Sequence, residues 1–197
     1  MDFVDAFEKL LKLGLRGTQE REMVHVCVHA ALQETPFNPY YAHLLARLTQ
    51  YHQRFQVTCK FALWDRYKQL ASLKPTQRKN LAHLSAHLLL VHAVKISVLK
   101  IIRFGEMDKA GVAFMKRTLG LISAANDREG MKRVFGQEAE LWCGKGQWEK
   151  VEGMRRLLQS LLMFLAHFMA DGKYTGVPEL TQAIQRVLSK CDAARVL

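Results

Sequence analysis

Eight histidines and four cysteines are the side chains of this sequence best suited to hold a metal or act as nucleophiles. His25/His29 and His83/His87 are each four residues apart, so each pair shares one face of a helix, as two-histidine metal sites require. Neither pair encloses the glutamate of an HExxH motif. The second reads His83-Leu84-Ser85-Ala86-His87, and no third ligand stands at a natural spacing. His83 and His87 also flank the Leu84/Leu88 stripe, so partly buried packing is the expected role of these histidines. Cys27, Cys59, Cys143 and Cys191 are scattered singly with no CxxC pair, which argues against a disulfide framework or zinc site and for a reducing compartment such as cytosol or nucleus. Cys59 and His83 could meet in space, but no motif binds them together. No GxSxG, P-loop or dinucleotide glycine pattern occurs, and Gly144-Lys145-Gly146 is too short to cradle a phosphate. No pair of carboxylates has an apolar setting that would split their acidities. The expectation is no enzyme, no metal and no cofactor.

Charge points elsewhere. The formal net charge of +11 suggests work near a polyanion. Basic residues cluster at Lys74/Arg78/Lys79, Lys109/Lys116/Arg117, Arg128/Lys132/Arg133 and Lys150/Arg155/Arg156. Each cluster reads either as a solvated helix face or as a set of phosphate contacts with salt-dependent, sequence-blind affinity. Lys74, Arg78, Lys79, Arg128, Lys132 and Arg133 are the candidates for facing RNA. The aromatics Tyr40, Tyr41, Phe55, Phe61, Trp64 and Tyr67 could stack bases, yet their helical spacing places them in a core.

The elements that position these residues are helices. Hydrophobic residues make up 49% and charged residues 24%, an ordinary globular balance that can fill a core without staples. The four prolines fall between apolar-periodic segments. Phe3, Phe7, Leu10 and Leu11 define a first helix that Gly14 and Gly17 end. Thr18 is the expected cap of the second, which stops before Pro36. Asn38-Pro39 starts a third, with Tyr41, Leu44, Leu45 and Leu48 inward. A fourth runs from about Arg54 to Leu70, and Pro75 opens a fifth. The apolar piece Val98 to Phe104 leads into a polar turn whose Asp108 can cap the next helix, and Asp127 can cap another. The longest helix follows Gly146, and an amphipathic one carrying Leu180, Ile184, Val187 and Leu188 comes last. The reading is all-α: a HEAT-like stack of antiparallel helix pairs, about ten helices in all, with a compact bundle as the other architecture. No linker divides the chain, so one domain over 1–197 is expected. The N-terminus reads as an amphipathic helix start, not a signal peptide, and the longest apolar runs are far too short to span a bilayer, so no membrane partner is expected.

Several strings carry a family resemblance. Pro36-Phe37-Asn38-Pro39-Tyr40-Tyr41-Ala42, Arg54-Phe55-Gln56-Val57-Thr58, Asn80-Leu81-Ala82-His83-Leu84 and Phe104-Gly105-Glu106-Met107-Asp108-Lys109 resemble the MI domain, also called MA-3. The combination looks most like its nucleolar branch, whose members carry a middle-of-four-gamma domain upstream. The resemblance covers residues 3–125 as the domain core, leaving additional helices over about 126–190. It implies a HEAT-like stack and a partner: the N-terminal RecA-like lobe of a DEAD-box RNA helicase of the initiation-factor-four-A type. It further implies maturation of the small ribosomal subunit (18S rRNA), a nucleolar or nuclear location, and contact with pre-ribosomal RNA. By the same resemblance, the helicase-facing turn is Glu106-Met107-Asp108-Lys109-Ala110, with Glu106, Asp108 and Lys109 as contact residues. Ala110 replaces the family proline, and Phe104 stands where the best-studied binders have an acid. Direct RNA binding by a basic helical scaffold is the alternative reading. A start at the domain's first helix suggests a piece of a longer protein or a shortened relative.

Overall fold

The computed structural model describes residues 2–125 and 128–196. Among these the chain is helical throughout, with no strand. The helices are α1 (Phe3–Lys12), α2 (Thr18–Gln33), α3 (Tyr40–Tyr51), α4 (Gln53–Lys68), α5 (Pro75–Leu90), α6 (Lys109–Ala124), α7 (Arg128–Gly144), α8 (Trp148–Phe168) and α9 (Val177–Val196). Two 3-10 turns, Ile96–Ile101 and Phe104–Glu106, lie between α5 and α6. Successive helices pack as pairs and each pair leans on the next: α3 on α4, α2 on both, α5 on α2 and α6, and α9 on α7 and α8. This is a HEAT-like stack. Its buried apolar side chains form one connected cluster running from Ala6 to Cys191. Among the described residues no helix is long and apolar enough to cross a membrane.

Helix starts follow local chemistry. Asp2 Oδ1 accepts from the Phe3 N–H at 2.6 Å, and Asn38 Oδ1 accepts from Tyr40 N–H at 3.0 Å, each satisfying a donor that the first helical turn leaves unpaired. Pro75 occupies the first turn of α5, where its missing N–H costs nothing. Thr18 is not the cap expected of it. Gly17 takes the cap position at φ 61°, a backbone conformation that a β-branched residue resists, and Thr18 becomes the first helical residue. The expected cap at Asp127 lies outside the described residues.

Long-range polar contacts fix how the pairs stack. Glu20 on α2 takes the Arg54 guanidinium of α4 at 2.6 Å. The Tyr67 hydroxyl of α4 and Ser85 Oγ of α5 lie 2.8 Å apart in the core. Asn80, 3% exposed, donates its side-chain amide to the carbonyls of Ala31, Leu32 and Glu34 at the end of α2. Between α8 and α9 the chain returns to α6, where Tyr174 lies against Gly120 and Gly176 against Ser123.

The histidines divide. His83 stacks on Phe37 with ring centroids 5.1 Å apart, and His87 meets His43 edge-on at 4.5 Å. Burial lowers both pKa values, and their buried Nε2 atoms have no hydrogen-bond partner among the described residues. His25 and His29 are exposed instead, because the apolar stripe of α2 passes through Met23, Val24, Cys27 and Val28 and leaves them on its outer side. The aromatics divide too. Phe55 and Tyr67 are buried as expected, whereas Phe61 is 51% exposed, since Cys59, Ala62 and Leu63 take the inward positions of α4.

Candidate functional site

The turn that joins the second 3-10 element to α6 is built around Asp108. Its Oδ1 accepts from Gly111 N–H at 2.7 Å with an extended backbone (φ −77°, ψ 177°), the geometry of a helix N-cap. Gly111 is buried beneath that carboxylate, and a Cβ there would stand 3.3 Å from Asp108 Oδ1 and 3.4 Å from Met107 Cγ. Met107 and Phe104 pack their side chains on the core, the Phe104 ring meeting Phe164 of α8 edge-on at 6.2 Å. The phenylalanine at the position where an acid was the family pattern thus anchors the turn instead of presenting charge.

Glu106 and Lys109 point outward and are exposed. Glu106 Oε2 accepts from Arg103 Nη1 at 3.2 Å, an ion pair in which both side chains are more than two-thirds exposed and water screens the attraction. Asp108 therefore caps, and Glu106 is free to change partners at little cost. The charges of Arg103, Glu106, Asp108 and Lys109 cancel (two positive, two negative), so this surface carries orientation and little net field. Asp108→Ala is expected to lower the unfolding free energy by about 1 kcal/mol, and Asp108→Asn by only a few tenths, because asparagine caps equally well. Urea denaturation of both variants checks this. Equal losses would show that charge and not capping sets the role of Asp108.

The basic residues gather differently from their order in the chain. Arg78 and Lys79 of α5 line one cleft with Arg117 of α6, about 340 Å³ in volume. Arg78 also donates to the Leu70 carbonyl at 3.2 Å, which fixes its stem. Lys74 is exposed at the start of α5 and does not line that cleft, and Lys116 lies over the Phe168 ring at 5.8 Å. Lys132 and Arg133 of α7 face Arg186 and Lys190 of α9 across a groove of about 470 Å³, where Lys190 Nζ also meets Glu140 Oε1 at 2.7 Å. The side chain of Arg128 lies outside the described residues. Arg155 and Arg156 are engaged by acids, Arg155 by Asp192 at 2.8 Å and Arg156 by Glu152 at 3.4 Å. Arg186 and Lys190 escaped the sequence reading, although their spacing of four on one amphipathic helix is a signal for a shared face.

Burial pushes the Cys27 thiol up to about 11 and Cys59 up to about 12, so both stay protonated and unreactive near neutral pH. Among the described residues no three histidines, cysteines or acids gather as a metal site.

Comparison with known proteins finds a family match in the N-terminal helices and relatives over most of the chain. The MA3 domain matches residues 1–95. The chain is 38% identical over 168 residues to human nucleolar MIF4G domain-containing protein 1, which covers 85% of this chain and 18% of the human protein. The Drosophila melanogaster homolog of that protein is 34% identical over the same shares. Pre-mRNA-splicing factor CWC22 homolog of Caenorhabditis elegans is 28% identical over 112 residues, 55% of this chain and 12% of that protein. The chain thus spans less than a fifth of the length of these relatives. The matched residues take in α1 to α5 and stop before the Glu106–Asp108 turn. Over residues 1–95, which hold α1 to α5, this chain matches the MA3 domain family.

Proposed function

We propose that this chain is a non-catalytic adaptor that docks on the N-terminal RecA-like lobe of a DEAD-box RNA helicase of the initiation-factor-four-A type. The observation that carries the reading is the Phe104–Lys109 turn. Capping and packing hold it in one shape, while Glu106 stays exposed with only a screened partner. A preformed turn of this kind binds without a large ordering cost. Its acids face the basic RNA-binding surface of the helicase, and Lys109 lies beside them. The nucleolar names of the human and fly relatives support a place in the nucleolus or nucleus, and the role proposed there is in small-subunit (18S) rRNA maturation.

Because Asp108 is a cap, the test leaves its geometry intact. The double variant Glu106→Lys with Asp108→Asn is expected to weaken helicase binding by about tenfold or more, since it sets a like charge against a basic face. Calorimetric titration measures the affinity, and a thermal melt close to that of the parent chain shows that the fold survives. Unchanged affinity removes the turn from the interface, and no binding by the parent chain removes the helicase.

The basic clefts favour a second reading, direct contact with pre-ribosomal RNA. Arg78, Lys79 and Arg117 converge from two helices, and Lys132 and Arg133 converge with Arg186 and Lys190. Convergent cations of this sort bind phosphates with strong salt dependence.

A further inference from the structure

A third basic surface lies elsewhere, where α4, the 3-10 turn Ile96–Ile101, α7 and the start of α8 meet around a groove of about 440 Å³. Four lysines line it, Lys60, Lys95, Lys100 and Lys150, together with the indoles of Trp64 and Trp142. Lys60 Nζ sits 4.5 Å from the centre of the Trp64 indole, and Lys100 Nζ sits 4.9 Å from that of Trp142. Trp64 is locked in place, its Nε1–H donating to the Val98 carbonyl at 2.8 Å. Phe61, half exposed, stands edge-on to Trp64 at 5.3 Å and extends the aromatic surface outward.

The groove is built to stay cationic. Among the described residues its lining holds one carboxylate, Glu138, which is 4% exposed and accepts from Ser97 N–H and Ser97 Oγ–H, each at 2.9 Å. Four ammoniums against one acid leave a formal charge of +3. Gly153 in α8 makes room for one of these ammoniums, since a Cβ there would come within 3.1 Å of Lys100 Nζ. Glycine inside a helix costs about 1 kcal/mol relative to alanine, so the space is held at the expense of helix stability. Burial pushes the Lys100 pKa down; Glu138 opposes that and Lys60 adds to it. An ammonium crowded by a like charge, as Lys100 is by Lys60, gains more from an arriving anion than an isolated one does.

We infer that this groove binds single-stranded RNA, its lysines taking backbone phosphates while Phe61 and the tryptophans receive the bases. Interleaved ammoniums and aromatic rings are the pattern of single-strand binding surfaces, because every base has a face to stack and every nucleotide a phosphate to neutralise. An acidic peptide would satisfy the lysines but leave the rings unused, and a duplex keeps its bases stacked inside and cannot offer them to a groove between helices. The inference rests on the direct-RNA reading but uses different residues. The groove also joins α4 to α7 and α8, so it needs helices beyond the MA3 match.

The test titrates a labelled oligouridylate of about twelve nucleotides with the full chain, read by fluorescence anisotropy at low and at physiological salt. Lys60→Ala with Lys100→Ala is expected to weaken binding at least tenfold and to flatten the salt dependence. Phe61→Ala, on an exposed side chain, is expected to weaken it by roughly fivefold or more with the salt dependence unchanged. The triple variant Arg78→Ala, Lys79→Ala, Arg117→Ala serves as the contrast, and circular dichroism verifies folding. Loss confined to the triple variant overturns the groove and leaves the RNA reading standing. No binding by the parent chain at low salt overturns both. Competition by polyglutamate as strong as by unlabelled RNA, with Phe61→Ala neutral, makes the occupant an acidic protein segment and overturns the RNA assignment.

Discussion

Gly176→Ala is expected to destabilise the protein by about 4 kcal/mol, a large share of the 5–15 kcal/mol that holds a typical domain together. Two costs add. Gly176 has φ +76°, a conformation that L side chains adopt at about 1–3 kcal/mol. A Cβ there would also stand 2.3 Å from the Ser123 carbonyl oxygen and 3.0 Å from its carbon. Neither atom belongs to a flexible side-chain end, so the loop must lift from α6 to relieve the contact. That loop also begins α9, since Leu180 N–H donates to the Gly176 carbonyl at 3.0 Å. Gly146 supplies the control. It has φ +62° with nothing within 4 Å of the added carbon, so Gly146→Ala bears only the backbone cost. The expected drop in melting temperature is roughly 10 °C for Gly176→Ala and a few degrees for Gly146→Ala. Melting temperatures within a degree or two of each other would show that the Ser123 contact relaxes freely.

The contrast between those glycines shows where the sequence stops being informative. Helix positions were legible because apolar spacing and end signals agreed. Asn38 and Asp108 cap where a short polar side chain precedes an apolar stripe, and Pro75 opens α5. Failure came where two local solutions compete, as when Gly17 displaced Thr18. Phe61 and His29 face water because the apolar stripes of their own helices, through Cys59, Ala62 and Leu63 and through Met23, Val24, Cys27 and Val28, pass on the other side.

The candidate surfaces were legible only in part, for a related reason. Glu106, Asp108 and Lys109 share one short turn, so any reading of that turn finds them together. Lys60 and Trp64, four apart on α4, could also be read as neighbours. Lys100 and Trp142 could not, because their meeting is a product of how α7 packs on the Ile96–Ile101 turn. Arg117 joins Arg78 and Lys79 in the same way, across the α5–α6 interface. Charge composition announced a basic protein; tertiary packing chose which cations converge.

Asn80→Asp is expected to be as damaging as the glycine substitution, and its damage should depend on pH. The Asn80 amide donates to three carbonyls, Ala31 at 3.3 Å, Leu32 at 3.4 Å and Glu34 at 2.7 Å. Those oxygens end α2, where helix geometry leaves carbonyls without partners and the macrodipole is negative, and the last turn of α2 has no basic side chain to answer it. An ionised carboxylate at the same place is acceptor-only and would face oxygens of like partial charge in a site that is 3% exposed. The substituted carboxyl is therefore held protonated, with a folded-state pKa above its unfolded value near 3.9. The folded state then binds more protons than the unfolded one. Its stability is greatest below that unfolded value and is lost as pH rises through the folded one. Urea denaturation should give a deficit of about 4 kcal/mol at pH 7 that narrows towards pH 4. Asn80→Ala, which leaves the carbonyls unpaired without adding charge, should lose about 2–3 kcal/mol at both pH values. A pH-independent deficit for Asn80→Asp would mean that the end of α2 opens to water, and Asn80 would then be a packing residue and not the staple between α2 and α5.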